Sequence, residues 1–218
     1  MRLFQTLQPR ASTQIPEPPV AKFLFADTRM AWLWLIVRLY VGYEWITAGI
    51  EKLTGRSIAF DSFGEVSKGG AWVFRGHDGT AIQGFVAGAL AQASGAHPAV
   101  QGWYAAFLQH VVLPNAGVFA YMVTFGEVLI GLGLIFGALT GIAAFFGVFM
   151  NLNFLLAGTV SINPVIGALA LLLVLGWRVA GYYGLDRYLL PLLGTPWTGS
   201  LARKQTHDGG TTANHALR

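Results

Sequence analysis

The sequence contains no cysteine in 218 residues. Thiolates carry out dithiol–disulfide exchange and are the usual ligands of iron–sulfur clusters, so this chain supplies neither chemistry from its own side chains. Zinc sites built on cysteine are excluded for the same reason. If the protein takes part in redox chemistry, electrons must pass directly between a bound substrate and an acceptor, or through a partner.

Charged residues are also few in this sequence. Only 11% of the residues are charged and 54% are hydrophobic, against about 25% charged in an average soluble domain. A soluble domain with so few charges could not cover its own surface. The composition therefore predicts a protein whose solvent is largely lipid.

The formal net charge of +4 comes from 14 basic residues that are scattered along the chain. They do not form a basic stripe, so we expect contact with a membrane surface and no binding of nucleic acid.

Four apolar segments predict transmembrane helices, each near the length needed to cross about 30 Å of hydrocarbon. They lie at about 29–51, 116–138, 141–159 and 164–183. Shorter segments at 81–93, 98–112 and 184–197 predict interfacial helices between helices one and two and after helix four. The expected fold class is all-α, an integral membrane four-helix bundle.

The segments outside these helices complete the expected organisation. Residues 1–28 predict a Pro-rich arm, 29–197 the membrane domain, and 198–218 a disordered tail. Pro114 is expected to break the preceding helix and Asn115 to cap the next one.

Glycine spacing and basic residues predict packing and orientation. Gly133, Gly137 and Gly141 recur every four residues and predict a flat stripe along the end of helix two, and Gly42 and Gly49 predict a similar close approach in helix one. Basic residues are frequent in the two terminal segments and absent from the two short loops between helices two, three and four. We therefore expect a multi-pass protein with both termini in the cytoplasm.

Polar side chains within the predicted spans are the main functional signal. They are Arg38, Glu44, Glu127, Asn151, Asn153 and Arg178. A charge at the centre of a membrane helix costs roughly 2.5–3.5 kcal/mol, so these groups must face the bundle interior and find partners.

Depth within the spans suggests which groups meet. Arg38, Glu127 and Asn151 each lie near the middle of a span, and we predict an Arg38–Glu127 ion pair with Asn151 as a neighbour. Glu44 shares no helix face with Arg38 or Lys52, so its partner is expected on another helix or a ligand, or else desolvation keeps the carboxyl group protonated. Lys52 is interpreted mainly as an interfacial anchor.

Two readings of this polar set stay open. It is either a structural ion-pair network that fixes helix register, or a site that handles protons, a quinone or a small polar substrate. In the second reading Glu127, Glu44 and Arg38 are the catalytic candidates. The candidates for binding a substrate or a quinone headgroup are Asn151, Asn153, Arg178, Trp45, His110 and Tyr104.

Histidine is absent from the four predicted spans. Haem held between two histidines inside the bundle is therefore not expected, and the other histidines lack metal-ligand spacing. We expect no haem, metal or iron–sulfur cluster, and a quinone as the candidate cofactor.

Four stretches resemble the DoxX/DoxD family of small prokaryotic membrane proteins. They are RLYVGYEWITAGIEKLTG at 38–55, WYAAFLQHVVLPNA at 103–116, FGEVLIGLGLIFGALTGIAAFFGVFMNLNFLLAG at 125–158 and WRVAGYYGLDRYLLPLLG at 177–194. The resemblance implies a four-helix fold in the plasma (inner) membrane of a prokaryote. The DoxD branch is similar to the large subunit of thiosulfate:quinone oxidoreductase, which works with a small partner subunit.

Three functions are consistent with these observations. The first is a quinone-linked membrane oxidoreductase subunit that works with other membrane redox subunits. The second is a non-catalytic accessory subunit of a larger respiratory or photosynthetic membrane complex. The third is a carrier of a small molecule that uses the same buried charges.

Overall fold

The computed structural model describes residues 17–76 and 78–194. Within these ranges the protein is all-helical, and extended pairing is limited to one isolated bridge between Arg56 and Val66. The α-helices are α1 Pro19–Ala26, α2 Ala31–Thr54, α3 Thr80–Ala91, α4 Gly102–Phe107, α5 Ala116–Phe136, α6 Thr140–Leu156, α7 Asn163–Leu175, α8 Trp177–Ala180 and α9 Asp186–Leu192. The expected tail at 198–218 lies outside the described residues.

The longest helices pack in a ring, with α2 on α5, α5 on α6, α6 on α7 and α7 on α2. One apolar core fills this ring and includes Trp34, Leu134 and Leu173. A second core lies where α3 packs on the segment from Tyr104 to Ala120. Because α5 runs through both cores, side chains between its residues Ala120 and Ile130 lie at their junction.

One described helical segment is long and apolar enough to cross a membrane, and it runs from Gly102 to Phe136. The apolar helices α3, α6 and α7 have 12, 17 and 13 residues and are shorter than a typical span. The 24-residue helix α2 is long enough but carries Arg38, Glu44, Glu51 and Lys52. The helical architecture is therefore as predicted, whereas four crossings of the bilayer stay a prediction.

Pro114 does not break the helix that precedes it, contrary to the sequence prediction. The chain stays helical from Gly102 through Phe136, with a π-helical segment at Leu108–Val112 and a 3-10 turn at Leu113–Asn115. A π-segment widens the turn before the proline, which relieves the clash that the ring makes in a regular helix. Asn115 occupies the N-cap position of α5 as predicted, but its side chain makes no capping hydrogen bond and its amide donates to the Val111 carbonyl.

Several helix ends differ from the predicted ones. The fourth predicted span, 164–183, is divided, because α7 ends at Leu175 and α8 begins after Gly176. The predicted arm contains the helix α1, and the segment after α8 forms α9 with Pro191 inside it. Glycine and proline explain these differences, since both weaken the regular helix without always ending it.

The glycine stripe predicted at the end of helix two does not lie on one helix. Gly137 ends α5 with a φ of +62°, and Ala138 donates to the Gly133 carbonyl in the bonding pattern of a Schellman motif. Gly141 belongs to α6 and packs against Trp177. The close approach predicted for Gly42 and Gly49 is confirmed, because both lie against the backbone of α5.

Candidate functional site: two buried charged layers

One seam of α2 faces α5 and positions the candidate site. Gly42, Trp45, Gly49 and Lys52 follow a three–four spacing and share this face. A Cβ atom on Gly49 would lie 2.8 Å from the Val128 backbone nitrogen, so the two helices are in backbone contact. The side chains at the edge of this contact are therefore held in a fixed register.

Lys52 and Glu127 form a buried ion pair across that contact. The Lys52 Nζ lies 2.7 Å from the Glu127 Oε2, although the geometry is poorly directed for a hydrogen bond. The Glu127 side chain is 2% exposed and the Lys52 side chain 18% exposed. The carboxylate is thus enclosed, and the amine connects it with the protein surface.

The loop after α2 covers this pair. The Trp72 backbone amide donates to the Lys52 carbonyl at 2.7 Å, and the Lys52 Nζ lies 5.0 Å from the centre of the Trp72 ring. A cation above an indole ring is attracted by its quadrupole. Trp72 therefore helps to hold the ammonium group in place.

Three further buried polar atoms, one each on α2, α5 and α6, have no hydrogen-bond partner. They are Trp45 Nε1, Thr124 Oγ1 and Asn151 Oδ1. A buried polar group without a partner costs on the order of 1–3 kcal/mol, so three together are unusual in a core. We call the set of Trp45, Lys52, Thr124, Glu127 and Asn151 the Glu127 layer.

Helix packing spreads the members of the Glu127 layer over roughly two helical turns. Trp45 packs against Gly147 and Phe154 of α6, which lie one turn before and one turn after Asn151. On α5, Gly126 is in contact with Met150, so Asn151 and Glu127 are at nearly the same height. Thr124 precedes Glu127 by one turn on the buried face of α5.

Arg38 lies in a separate charged layer at the other end of α2. Its side chain is fully buried, and its Nη2 donates to the Tyr183 carbonyl at 2.9 Å. The guanidinium rests against Gly137 and Gly184, where any Cβ atom would collide with it. We call Arg38, Gly137, Tyr183, Gly184 and Asp186 the Arg38 layer.

Asp186 supplies the negative charge of the Arg38 layer. Its carboxylate accepts hydrogen bonds from the backbone amides of Leu139 at 2.5 Å and Thr140 at 2.8 Å. It thereby caps the N-terminus of α6, where the helix dipole favours an anion. Asp186 also acts electrostatically on Arg38, without a direct ion pair.

The predicted Arg38–Glu127 ion pair is therefore wrong. Gly42 lies against Ile135 and Gly49 against Val128, so Glu127 is level with residue 50 of α2. Residue 50 is 12 positions beyond Arg38, about 18 Å along the helix at ~1.5 Å per residue. Equal depth within the predicted spans did not identify the partner of Glu127, because the helices are staggered along their axes.

Other candidates have local partners. Glu44 is half-buried and interacts with the Tyr40 hydroxyl one turn earlier, so its partner lies on its own helix and not on another one as predicted. The buried Tyr104 hydroxyl donates to the Asn153 carbonyl at 3.0 Å and lies 3.1 Å from its side-chain Oδ1. Because of these contacts, the side chains of Glu44, Tyr104 and Asn153 are not directed into the Glu127 layer.

The two remaining candidates lie away from the Glu127 layer. His110 is exposed on the π-helical segment, and Arg178 is half-buried on α8. The sequence interpretation missed Asp186 and Thr124 and underestimated Lys52. The signal for Lys52 was present, since it lies three residues after Gly49 and so shares the seam that faces α5.

The described residues hold no group of three or more histidine, aspartate or glutamate side chains with the geometry of a metal site. Their polar chemistry is concentrated in the two layers, each with one cation and one carboxylate. The arrangement defines an all-helical protein with charged layers enclosed between apolar helices.

The DoxX family model matches residues 33–160, which is more than half of the chain and includes both Lys52 and Glu127. The chain belongs to the DoxX family, whose members are membrane-associated. No curated protein and no solved structure matches the chain.

Proposed function

We propose that this DoxX protein is a quinone-linked redox subunit of a prokaryotic membrane, and that its chemistry takes place at the Glu127 layer. The observation that supports the proposal is the Lys52–Glu127 pair, an enclosed carboxylate joined to a partly exposed amine. An ionisable group inside a membrane protein is by default a candidate for a proton or substrate pathway.

The residues of the Glu127 layer suit a quinone headgroup. A quinone accepts two electrons and two protons, and its carbonyl oxygens accept hydrogen bonds. Trp45 Nε1 and the Thr124 hydroxyl are buried donors without a partner, so both are available to a carbonyl oxygen. Asn151 Oδ1 is also unpartnered, but it lies against Gly167 of α7, and the Asn151 Nδ2 donates to the Asn163 Oδ1 at 3.5 Å.

Glu127 is the residue that holds and releases a proton in this proposal. Glu127 is buried, and a second carboxylate, Glu51, is near enough to act on it electrostatically. Lys52 balances the charge of Glu127 when the carboxylate is ionised. Because Lys52 is partly exposed, it also gives the buried carboxylate a route to water.

The surface supports an arrangement within the bilayer. Large apolar side chains point outward along three helices of the ring, and they include Val118, Met122, Leu129, Phe145, Phe149, Leu152, Val165, Leu171 and Leu175. Soluble monomers rarely expose so much contiguous apolar surface. We propose a multi-pass orientation with both termini in the cytoplasm, and other membrane redox subunits as partners that deliver electrons.

Binding of a menaquinone analogue to the purified full-length protein tests this function. We expect binding to the native protein, at least a tenfold loss in Glu127→Gln, and little change in the matched variant Glu44→Gln. Equal binding by all three proteins would remove the Glu127 layer from the proposal. Absence of quinone binding, together with a partner complex at fixed stoichiometry, would favour an accessory subunit.

Electron transfer is the second part of the test. The resemblance to the DoxD branch makes thiosulfate the first electron donor to assay in membranes that contain the protein. We expect donor-dependent quinone reduction that Glu127→Gln abolishes while the protein still inserts. Substrate flux in proteoliposomes without any electron acceptor would instead identify a carrier.

A further inference from the structure

The outer face of α2 differs from the outer faces of the helices packed around it. Every exposed side chain of α5, α6 and α7 is apolar. On α2 the exposed Tyr40 and the half-buried Glu44 lie on the side opposite Gly42 and Gly49, which pack against α5. Glu44 is near the middle of this 24-residue helix, about 15 Å or more from either end. The helix α2 therefore presents a carboxylate on a face where its neighbours present apolar groups.

Glu44 ends a row of exposed side chains along α2. Trp32, Ile36 and Tyr40 precede it at intervals of four residues and are 56%, 58% and 39% exposed. A row of residues four apart is the ridge that one helix inserts into the groove of a neighbouring helix. The loop after α2 packs on the adjacent Tyr43 and leaves this row open. We call the row from Trp32 to Glu44 the α2 ridge.

Glu44 has no cationic partner among the described residues. Its contact is with the Tyr40 hydroxyl, and the ion pairs in this part of the chain involve other carboxylates. The nearest cations along α2 are engaged elsewhere, since Arg38 is fully buried in its own layer and Lys52 is bound to Glu127. A carboxylate that faces hydrocarbon is costly unless a partner neutralises it. The α2 ridge therefore needs a positive charge from outside this chain.

The depth and the sign of this charge indicate what covers the α2 ridge. Lipid amines lie in the headgroup region, about 15 Å from the centre of the hydrocarbon layer, so they do not reach Glu44. A second copy of this chain, docked through the same ridge about a two-fold axis, would bring Glu44 against Glu44 and supply no cation. A helix of another protein with a lysine or arginine at this depth supplies the missing charge.

We propose that the α2 ridge docks one transmembrane helix of a partner subunit, and that this helix places a lysine or arginine opposite Glu44. Trp32, Ile36 and Tyr40 form the apolar part of the contact, and the charge pair fixes its register. This inference rests on the multi-pass orientation proposed above, but not on quinone chemistry at Glu127. Because the purified protein binds quinone without the partner in that proposal, failure of the docking surface and failure of the quinone site are distinguishable.

Model transmembrane peptides test the charge requirement with the full-length protein in phosphatidylcholine vesicles. The probes are two leucine–alanine helices of about 20 residues, one with arginine and one with leucine at the centre. We expect the arginine peptide to bind about three- to thirtyfold more tightly, the range of one polar contact between membrane helices, as measured by energy transfer. Equal binding of the two peptides by the native protein would overturn the proposal.

Two matched variants assign this preference to Glu44. Glu44→Gln should bind both peptides equally. Glu51→Gln is the same change on the same side of α2, about 10 Å nearer the helix end, and it should keep the preference for the arginine peptide. A preference that survives in Glu44→Gln, or that is lost only in Glu51→Gln, would remove Glu44 from the docking surface.

Cross-linking in membranes of the native host locates the partner. Because the chain has no cysteine, Ile36→Cys on the α2 ridge and Phe149→Cys at a similarly exposed position of α6 each accept one benzophenone label. We expect a single protein adduct from Ile36→Cys that is lost when Glu44→Gln is added, and none from Phe149→Cys. The captured chain should carry a lysine or arginine within a transmembrane segment. Adducts with lipid alone, with a second copy of this chain, or with a protein that lacks such a residue would contradict the proposal.

Discussion

Lys52 and Glu127 join α2 to α5 through an ion pair in which the Nζ and Oε2 atoms are 2.7 Å apart. The pair lies beside Gly49, where the two backbones touch. It therefore combines a structural role, fixing the register of two helices, with a chemical one, keeping a carboxylate inside an apolar environment. Variants of Lys52 and Glu127 separate these two roles.

Removal of one partner of the pair should destabilise the protein more than removal of both. A buried charge left without its partner costs about 3–5 kcal/mol. Lys52→Met leaves the enclosed Glu127 carboxylate and should lie in this range, whereas Glu127→Gln leaves the partly exposed Lys52 and should cost less. The double variant Lys52→Met/Glu127→Gln should recover most of this loss. Thermal unfolding in nanodiscs measures the stability of the two single variants and the double variant, with Lys68→Met at an exposed position as the control. Additive losses of stability would mean that the two side chains do not interact.

Gly49 and Gly131 should be intolerant of even one methyl group. A Cβ on Gly49 would approach Val128 to 2.7 Å, and one on Gly131 would approach the Ile46 nitrogen to 2.6 Å. Overpacking of this kind costs about 1–3 kcal/mol, so Gly49→Ala and Gly131→Ala should unfold at lower temperature.

Gly84 provides the matched control for these glycine variants. It also lies inside a helix, but no atom is within 4 Å of its added Cβ. Gly84→Ala should therefore stabilise the protein by up to about 1 kcal/mol, because alanine has the higher helix propensity. If all three alanine variants behaved alike, close α2–α5 packing would not explain the glycines.

Asp186 should be the most sensitive residue of the Arg38 layer. Asp186→Ala removes the acceptor of two backbone amides and the charge nearest Arg38, and we expect a loss of about 2–4 kcal/mol. Hydrogen exchange should then increase first at Leu139 and Thr140. The same change at the exposed residue Asp61 should have little effect, and protection of the α6 N-terminus in Asp186→Ala would contradict the assignment of Asp186 as its cap.

The turn before α2 should show a dependence on pH. Hydrogen bonds from the Arg29 side chain and from its backbone amide hold the pKa of the Asp27 carboxyl below its ordinary value. Because the pKa is lower in the folded state, the contribution to stability is present above the unfolded pKa of about 3.9 and is lost as the pH falls through the folded pKa. A carbon-13 titration of Asp27 measures the pKa, which should rise toward the ordinary value in Arg29→Gln and would stay unchanged if the contact were absent in solution.

The sequence predicted the helical architecture well because apolar periodicity and glycine spacing are local properties. Gly42 and Gly49 marked the face of α2 that meets α5, and Glu127 was recognised as a buried carboxylate. The stagger between α2 and α5 is set by side-chain packing along the whole interface, so it could not be predicted from depth within each span. That stagger, not any single residue, makes Lys52 the partner of Glu127.

Asp186 shows a second limit of sequence interpretation. It caps α6 from a position 46 residues after Thr140, so no local capping pattern reveals it. Pro114 shows a third, because a π-helical segment accommodates a proline that would end a regular helix. Both features depend on tertiary contacts or on backbone adjustment that composition and periodicity do not encode.

The most direct test of the central claim is an infrared difference spectrum recorded on electrochemical reduction of the quinone-loaded protein. If Glu127 is protonated in the quinone-loaded protein and gives up that proton when the quinone is reduced, a negative band of the protonated carboxyl group should appear in the native protein and in Glu44→Gln. The same band should be absent from Glu127→Gln. A carboxyl band that persists unchanged in Glu127→Gln would contradict the account and leave the Lys52–Glu127 pair with a structural role alone.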